Sequence, residues 1–353
     1  MKLLFVNHRD PKHPKAGGAE EVLREIGKRL VKDYDLEVYW LAESVKGLEE
    51  YEILDGIKVI RRGGQFTLHL HSPFIAKNYD VVIDSVAHAV PFFSQIFNER
   101  TIGLVHHVHQ DVVEFELNPL LARIIRFAER GLKFYNRLIA VSDTTKSELV
   151  KRFGIDEERI TVIKNGVDHE KYKPGSKFDE PTVFWIGRLK KYKNPLDAIE
   201  IFRRIRVKSA KLYIAGDGEL REEVVKAIGN SPNIKYLGKV SEEDKVRLYQ
   251  GSWALLSTSF IEGWGMTVVE ANASGTPAVV YNRGSLPEIV KDGVNGFVVN
   301  YKDFRGAAEK LEYILEDENI MNEFSKRSYE SSLQYNWDMT ASKYYKVVKE
   351  IFI

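Results

Sequence analysis

Short apolar runs rich in Val, Ile and Leu alternate with amphipathic stretches from Leu3 to Val299. Runs of this kind read as strands covered on both faces, which is the environment of a parallel sheet. Parallel strands need long crossovers, and helices supply them. The expected strands in the first half are Leu3–Val6, Glu37–Leu41, Lys58–Arg61, Val81–Asp84, Thr101–Val105, Leu138–Val141 and Thr161–Ile163. In the second half they are Thr182–Ile186, Lys211–Ala215, Ile234–Leu237, Ala254–Ser257, Ala278–Tyr281 and Gly296–Val299. Between Ala19 and Asp33, Val22, Ile26, Leu30 and Val31 recur at helical spacing. A last helix is expected from about Met339 to Phe352, after a break at Asn336-Trp337-Asp338.

A chain of 353 residues is long enough for two such domains. Lys173-Pro174-Gly175-Ser176-Lys177-Phe178-Asp179-Glu180-Pro181 is polar, rich in turn residues and without periodicity, so it is the expected linker. The domains are therefore expected at 1–172 with 338–353, and at 179–337. Open α/β sheets bind ligands at the carboxyl ends of their strands, so both domains should lend loops to one cleft.

The net charge of +1 gives no global field to recruit nucleic acid. With no cysteine there is no disulfide, thiolate metal site or Cys nucleophile, which suits a reducing compartment. Met1–Asn7 is too short an apolar run for a signal peptide. No apolar run approaches the ~20 residues that cross a bilayer. A cytoplasmic protein is the expectation.

The strand Ala254–Ser257 leads into Phe260-Ile261-Glu262-Gly263-Trp264-Gly265-Met266-Thr267, where a helix begins. Glycines there expose backbone N–H groups at a positive helix end, which attracts anions. Glu262 and Glu270 bracket that site, and a carboxylate suits hydroxyls better than phosphate. A ligand carrying both phosphate and sugar fits the combination. In Gly187-Arg188…Lys193-Asn194-Pro195, two cations stand between a strand end and a helix start. They can clamp a pyrophosphate, or be a solvated basic turn. Ala215-Gly216-Asp217-Gly218 is either a close backbone approach to a ligand or a plain turn. Gly17-Gly18, between the first strand and first helix, is either a phosphate contact or a helix cap.

His106-His107-Val108-His109 follows the strand Thr101–Val105. His107 and His109 share a face, and no second cluster completes a metal site. Single hydrogen-bonding histidines are the favoured reading. Asn165-Gly166-Val167-Asp168 marks a tight turn. Asn118–Arg137 reads as a basic amphipathic helix with Leu120, Leu121, Ile124, Ile125, Ala128 and Leu132 as its apolar stripe, and Glu129 as its only acid. A core-facing helix is favoured, with docking on an anionic membrane surface as the alternative.

Taken in order, Gly17-Gly18, Asn165-Gly166-Val167-Asp168, Gly187-Arg188…Lys193 and Glu262…Glu270 resemble the family 4 retaining glycosyltransferases (glycosyl transferases group 1). So do Gly275-Thr276-Pro277 and Gly293-Val294-Asn295-Gly296-Phe297. The resemblance runs from about Lys2 to the C-terminus. It implies the GT-B fold, two Rossmann-like doubly wound parallel-sheet domains facing each other across a cleft, with the last helix returning to the first domain. It implies transfer of a sugar from a nucleotide-diphosphate sugar, UDP- or GDP-linked, to a hydroxyl of a lipid carrier, glycan or small molecule. No metal or other cofactor is implied. Association with the cytoplasmic membrane face remains open through residues 118–137.

In that resemblance Arg188 and Lys193 hold the diphosphate, and Glu270 takes the nucleotide ribose. Glu262 faces the donor sugar. Backbone amides of Trp264, Gly265, Met266 and Thr267 fix sugar and phosphates. Gly17 and Gly18 approach the phosphates from the first domain. His109, or in another register His106, meets the reacting centre. Asp33-Tyr34-Asp35 is the nearest match to a metal-binding Asp-x-Asp, and it lies at a helix-to-strand turn. The alternatives are a nucleotide-sugar epimerase or hydrolase on the same fold, and a non-catalytic nucleotide-sugar binder. A dehydrogenase is disfavoured, because neither domain carries a full Gly-x-Gly-x-x-Gly fingerprint.

Overall fold

A computed structural model describes residues 1–353 except His88 and Leu117, and except the side chains of Glu114 and Glu116. It divides into two compact units, Met1–Gly166 with Trp337–Ile353, and Val167–Asn336.

Unit 1 holds β1 (Lys2–Val6), β2 (Glu37–Ala42), β3 (Tyr51–Leu54), β4 (Ile57–Arg61), β5 (Val81–Val86), β6 (Thr101–Val105), β7 (Arg137–Ala140) and β8 (Ile160–Val162). They form one sheet in the order β3-β4-β2-β1-β5-β6-β7-β8. All neighbours are parallel except β3 and β4. That pair is a hairpin turned at Asp55 (φ 52) and Gly56 (φ 82), the left-handed pair that a two-residue Asp-Gly turn requires. β3 is not among the expected strands, although Asp-Gly is its signal. The helices Leu68–Ala76, Asp143–Phe153 and Glu318–Ser332 are likewise additions to the expected elements. The C-terminal helix Trp337–Phe352 belongs to unit 1, where Tyr345 stacks on Tyr34 at 4.3 Å between centroids.

Unit 2 holds β9 (Thr182–Ile186), β10 (Lys211–Ala215), β11 (Ile234–Gly238), β12 (Ala254–Ser257), β13 (Ala278–Tyr281) and β14 (Gly296–Val299). All are parallel, in the order β11-β10-β9-β12-β13-β14. Val183, Leu212, Ile214, Leu256 and Val279 are buried in its core with Ala307 and Leu311 of the helix Phe304–Leu315.

Both sheets reverse direction once. In unit 1 the chain steps outward from β1 to β2 and then restarts at β5 on the other side. In unit 2 it steps from β9 to β10 and β11, then restarts at β12 beside β9. At such a switch the loops leaving the two central strands diverge and open a crevice at their carboxyl ends.

Two expectations are corrected. The segment expected as a linker is fastened to unit 2, and the chain passes between units at Gly166–Val167 and Asn336–Trp337 instead. Lys177 Nζ donates to Ser252 O, Gly275 O and Thr276 Oγ1, each at 2.8 Å, and Phe178 packs on Gly251. Burial pushes the Lys177 ammonium down to about 7, against the pull of those three acceptors. A polar composition suggested exposure, but a half-buried lysine with three partners is equally polar on paper. Second, Asn118–Arg137 is not one helix. It is a helix Pro119–Glu129 and a 3₁₀ turn Arg130–Phe134 leading into β7. Leu120, Leu121 and Ile124 of the expected core stripe are exposed, and Ala122 and Glu129 are buried instead.

Candidate functional site

The switch point of unit 2 lies between β9 and β12, whose loops carry Arg188 to Lys193 and Phe260 to Gly265. Thr258 ties these loops together. Its hydroxyl accepts from Trp185 Nε1 at 2.9 Å and donates to the Lys193 and Asn194 carbonyls at 2.9 and 2.8 Å. Asn194 Nδ2 donates back to Thr258 O at 3.0 Å, and Phe260 N–H to Tyr192 O at 2.7 Å. Lys193 is thereby held against Glu262, and the two form an ion pair. Ser259 Oγ donates to the same Glu262 oxygen at 2.8 Å. The Glu262 peptide lies so close to Gly284 (φ 54) that a Cβ there would come within 2.5 Å of the Glu262 carbonyl oxygen.

Arg188 is different. Its side chain is exposed and makes no hydrogen bond or ion pair among the described residues. Its loop is shaped by Gly216, where a Cβ would sit 1.8 Å from Gly187 O. The Gly216 N–H donates to Gly238 O and its carbonyl accepts from Tyr236 Oη. Gly216 therefore shapes the Arg188 loop, and its own amide is not available as a donor.

The helix Met266–Ala273 starts beside Glu262. The Met266 N–H is engaged by Trp264 O at 2.9 Å, while the Gly265 and Thr267 N–H groups have no partner among the described residues. Trp264 is buried edge-on to Tyr335, centroids 5.1 Å apart. Glu270, one turn on, accepts from Tyr249 Oη at 3.1 Å and faces Lys245 at 3.6 Å, both through Oε2. Its Oε1 has no partner among the described residues. Burial raises the Glu270 carboxyl above the usual carboxylate range, opposed by Lys245 and the Tyr249 hydroxyl. Tyr249 and Lys245 were not foreseen. They sit on the helix Glu242–Gly251, whose sequence gives no hint that its side chains reach Glu270.

In unit 1 the switch point lies between β1 and β5, and it is crowded with buried polar groups. Asn7 Nδ2 donates to Glu20 Oε1 at 2.8 Å. Arg61 Nε and Nη2 donate to Asp10 at 2.7 and 3.0 Å, both residues fully buried. The second oxygen of Glu20 takes the Gly17 N–H at 2.7 Å, so that amide is engaged. Gly18 is open, with nothing within 4 Å of where a Cβ would stand. His109 is buried, its Nε2 donating to Ala87 O at 3.0 Å and its Nδ1 3.2 Å from Glu129 Oε1. Both of its ring nitrogens are therefore occupied. His106 faces Ser85 Oγ through Nε2 at 3.0 Å, and its Nδ1 has no partner among the described residues. Burial, helped by His109, lowers the His106 ring to about 4, so it is neutral near pH 7. Glu129 was legible as the lone acid of a basic helix, but its hold on His109 was not.

Two family models match the chain. Glycosyltransferase Family 4 matches residues 16–171, and Glycosyl transferases group 1 matches residues 167–331. The chain belongs to the family 4 glycosyltransferases (glycosyl transferases group 1).

An uncharacterized glycosyltransferase of Methanocaldococcus jannaschii is 30% identical over 235 residues, 60% of each chain. A D-inositol 3-phosphate glycosyltransferase of Nocardia farcinica is 27% identical over 228 residues, 58% of this chain and 51% of that protein. The matches thus span only about half to three fifths of these relatives. Among solved structures, sucrose-phosphate synthase from Thermosynechococcus elongatus aligns with a TM-score of 0.83 at 17% identity, over 99% of both chains. Anabaena HepE in complex with UDP-glucose aligns with a TM-score of 0.80 at 20% identity, over 99% of this chain and 100% of that one. These likenesses show the GT-B fold. Within unit 2 the structure brings Lys193 and Glu262 into direct contact and puts Arg188 and the helix start on the loops of one switch point. Asp35 of Asp33-Tyr34-Asp35 ends the helix Gly18–Tyr34 in a left-handed turn (φ 53), away from any strand's carboxyl end.

Proposed function

We propose that this chain transfers a sugar from a nucleotide-diphosphate sugar to a hydroxyl acceptor, with retention and without a metal, and that unit 2 holds the donor. The supporting observation is the unit 2 switch point, whose loops and helix carry Glu262 and Glu270, and where the Arg188 guanidinium and the Gly265 and Thr267 N–H groups have no partner among the described residues. Arg188 and the Gly265 and Thr267 amides suit a diphosphate, since charge-assisted bonds and a helix N-terminus both favour anions. Oε1 of Glu270 suits ribose hydroxyls. Glu262 neutralises Lys193 and repels phosphate, so it suits the sugar end.

In the reaction the anomeric carbon–oxygen bond breaks, and its electron pair leaves with the nucleoside diphosphate. The acceptor oxygen bonds the anomeric carbon from the face that the diphosphate leaves. Its proton passes to the departing phosphate, so no protein base is required. Arg188 and the helix amides stabilise the charge that develops on the leaving group. Glu262 offsets positive charge growing on the sugar. UDP- and GDP-sugars are the donors proposed, in keeping with the complex that HepE forms with UDP-glucose. The acceptor, a lipid carrier, glycan or small molecule, falls to unit 1, where neutral His106 offers Nδ1.

Calorimetric titration with UDP and GDP tests the donor site. Arg188→Ala should weaken the preferred nucleotide by about tenfold to a hundredfold, the range of a charged hydrogen bond. Unchanged affinity removes the clamp. Consumption of the donor in the absence of any acceptor would point to the epimerase or hydrolase.

A further inference from the structure

We propose that the surface formed by the helix Pro119–Glu129 and the turn Arg130–Phe134 docks on an anionic lipid bilayer. Leu120 and Phe127 are each 72% exposed, as is Phe134, and Ile124 is 57% exposed. Side chains of this size cost free energy in water, and monomeric proteins seldom cluster them on one helix. Arg123, Arg130 and Lys133 stand among them, their exposed side chains without hydrogen bonds or ion pairs among the described residues. The only acid of the segment, Glu129, is buried and turned to His109. An apolar face flanked by cations that are unpaired among the described residues, with the segment's own carboxylate withdrawn, matches the interface of a membrane with negative headgroups.

The surface continues beyond this helix. Phe93 packs on Gly131, and the 3₁₀ turn Ser94–Ile96 leads to Phe97, whose ring lies 4.9 Å from that of Phe74. Phe74 and Phe97 are 58% and 49% exposed. The alternative occupants, a second copy of the chain or a neutral protein surface, leave the three cations unexplained. No helix among the described residues is long and apolar enough to cross a membrane, so docking would be in the plane of the headgroups. The proposal does not rest on sugar transfer, and its test contains neither donor nor acceptor.

The test is co-sedimentation with vesicles of equal parts phosphatidylglycerol and phosphatidylcholine, and with phosphatidylcholine alone. The wild type should pellet with the first, less so at high salt, and stay in solution with the second. Neutralising Arg123, Arg130 and Lys133 to Gln should weaken binding by roughly a hundredfold, about fivefold per charge. Phe127→Ser should weaken it roughly tenfold. Since all four side chains are exposed, unfolding midpoints should hardly move. On the wild type, anionic vesicles should slow amide hydrogen exchange across residues 119–134, which needs no variant. No binding, equal binding to both vesicle types, or a lipid-free dimer that Phe127→Ser dissolves would each overturn the proposal.

Discussion

The two units are variations on one sheet, each with a single reversal, yet their crevices are finished in opposite ways. In unit 1 three side-chain pairs form at the switch point: Asn7 with Glu20, Asp10 with Arg61, His109 with Glu129. Burial holds His8 down at about 3 and His106 at about 4, and lifts Asp84 to about 6, so it biases these three groups toward their neutral forms. In unit 2 the Arg188 side chain and two helix amides have no internal partner among the described residues. The difference teaches that topology locates a crevice but does not say what it binds. A crevice that pairs its buried charge and holds its histidines neutral suits a hydroxyl. An open one with an unpaired cation suits an anion.

The sharpest way to break this contrast is to remove a partner from the dry side. Asp10→Ala leaves the Arg61 guanidinium buried with only Glu52 and the Glu49 carbonyl as acceptors. Removing one partner of a buried pair costs about 3–5 kcal/mol, and the remaining Glu52 carboxylate places the loss near the lower end. Urea unfolding should show a loss of that size. A loss under about 1 kcal/mol would mean that water reaches the pair, and that the crevice is not dry.

The next effect belongs to Asp84, which accepts from Ser94 N–H at 3.0 Å, Ser94 Oγ at 2.6 Å and Tyr135 Oη at 2.6 Å. Its folded pKa of about 6 lies above the ordinary 3.8. Between those values the folded chain binds the proton that the unfolded chain releases. The stability this supplies is therefore complete below 3.8 and is lost as pH rises through about 6. Measured against Asp84→Asn, which cannot titrate, the wild type should lose about 3 kcal/mol between those limits. A flat difference would show that the three donors stabilise the carboxylate as strongly as burial opposes it.

On the open side, Glu262→Gln should release Lys193 and remove a negative charge near the leaving group. Nucleoside diphosphate should then bind more tightly, by about fivefold, or about 1 kcal/mol. Transfer should become slower, because the developing charge on the sugar loses its counterpart. Calorimetry and turnover read the two arms separately. Weaker nucleotide binding would mean that Glu262 serves mainly to position Lys193.

Much of the fold was legible because parallel strands covered on both faces leave continuous apolar runs. β6, β9, β10, β12, β13 and β14 stand where those runs predicted. The half-exposed hairpin strand β3 left no such run. The loop and helix start from Glu262 to Glu270 were legible for a related reason. Glu262, Gly265 and Glu270 are close in sequence, so spacing alone brings them together. What remained hidden depends on long-range contacts: Lys177 reaching Ser252 and Gly275, Tyr249 reaching Glu270, and Glu129 reaching His109. The basic helix shows a further limit. Helical periodicity identified an apolar stripe on Leu120 and Ile124, but it could not say whether protein or solvent covers it.

The double glycine gives the smallest effect and the most discriminating one. Glycine is required where φ is positive or where a Cβ would clash. Gly216 meets both conditions. Gly18 meets neither, since it lies in the first turn of a helix with open space around it. Alanine there should be tolerated or should stabilise the fold by about 0.4–1 kcal/mol, through the lower entropy of the unfolded chain. The fold thus gives no reason for a glycine at this position, which leaves the proposed approach of a ligand as the reading to test. Gly18→Ala should therefore leave the unfolding midpoint unchanged or higher, while donor turnover falls. If turnover and stability are both unchanged, Gly18 takes no part in the reaction.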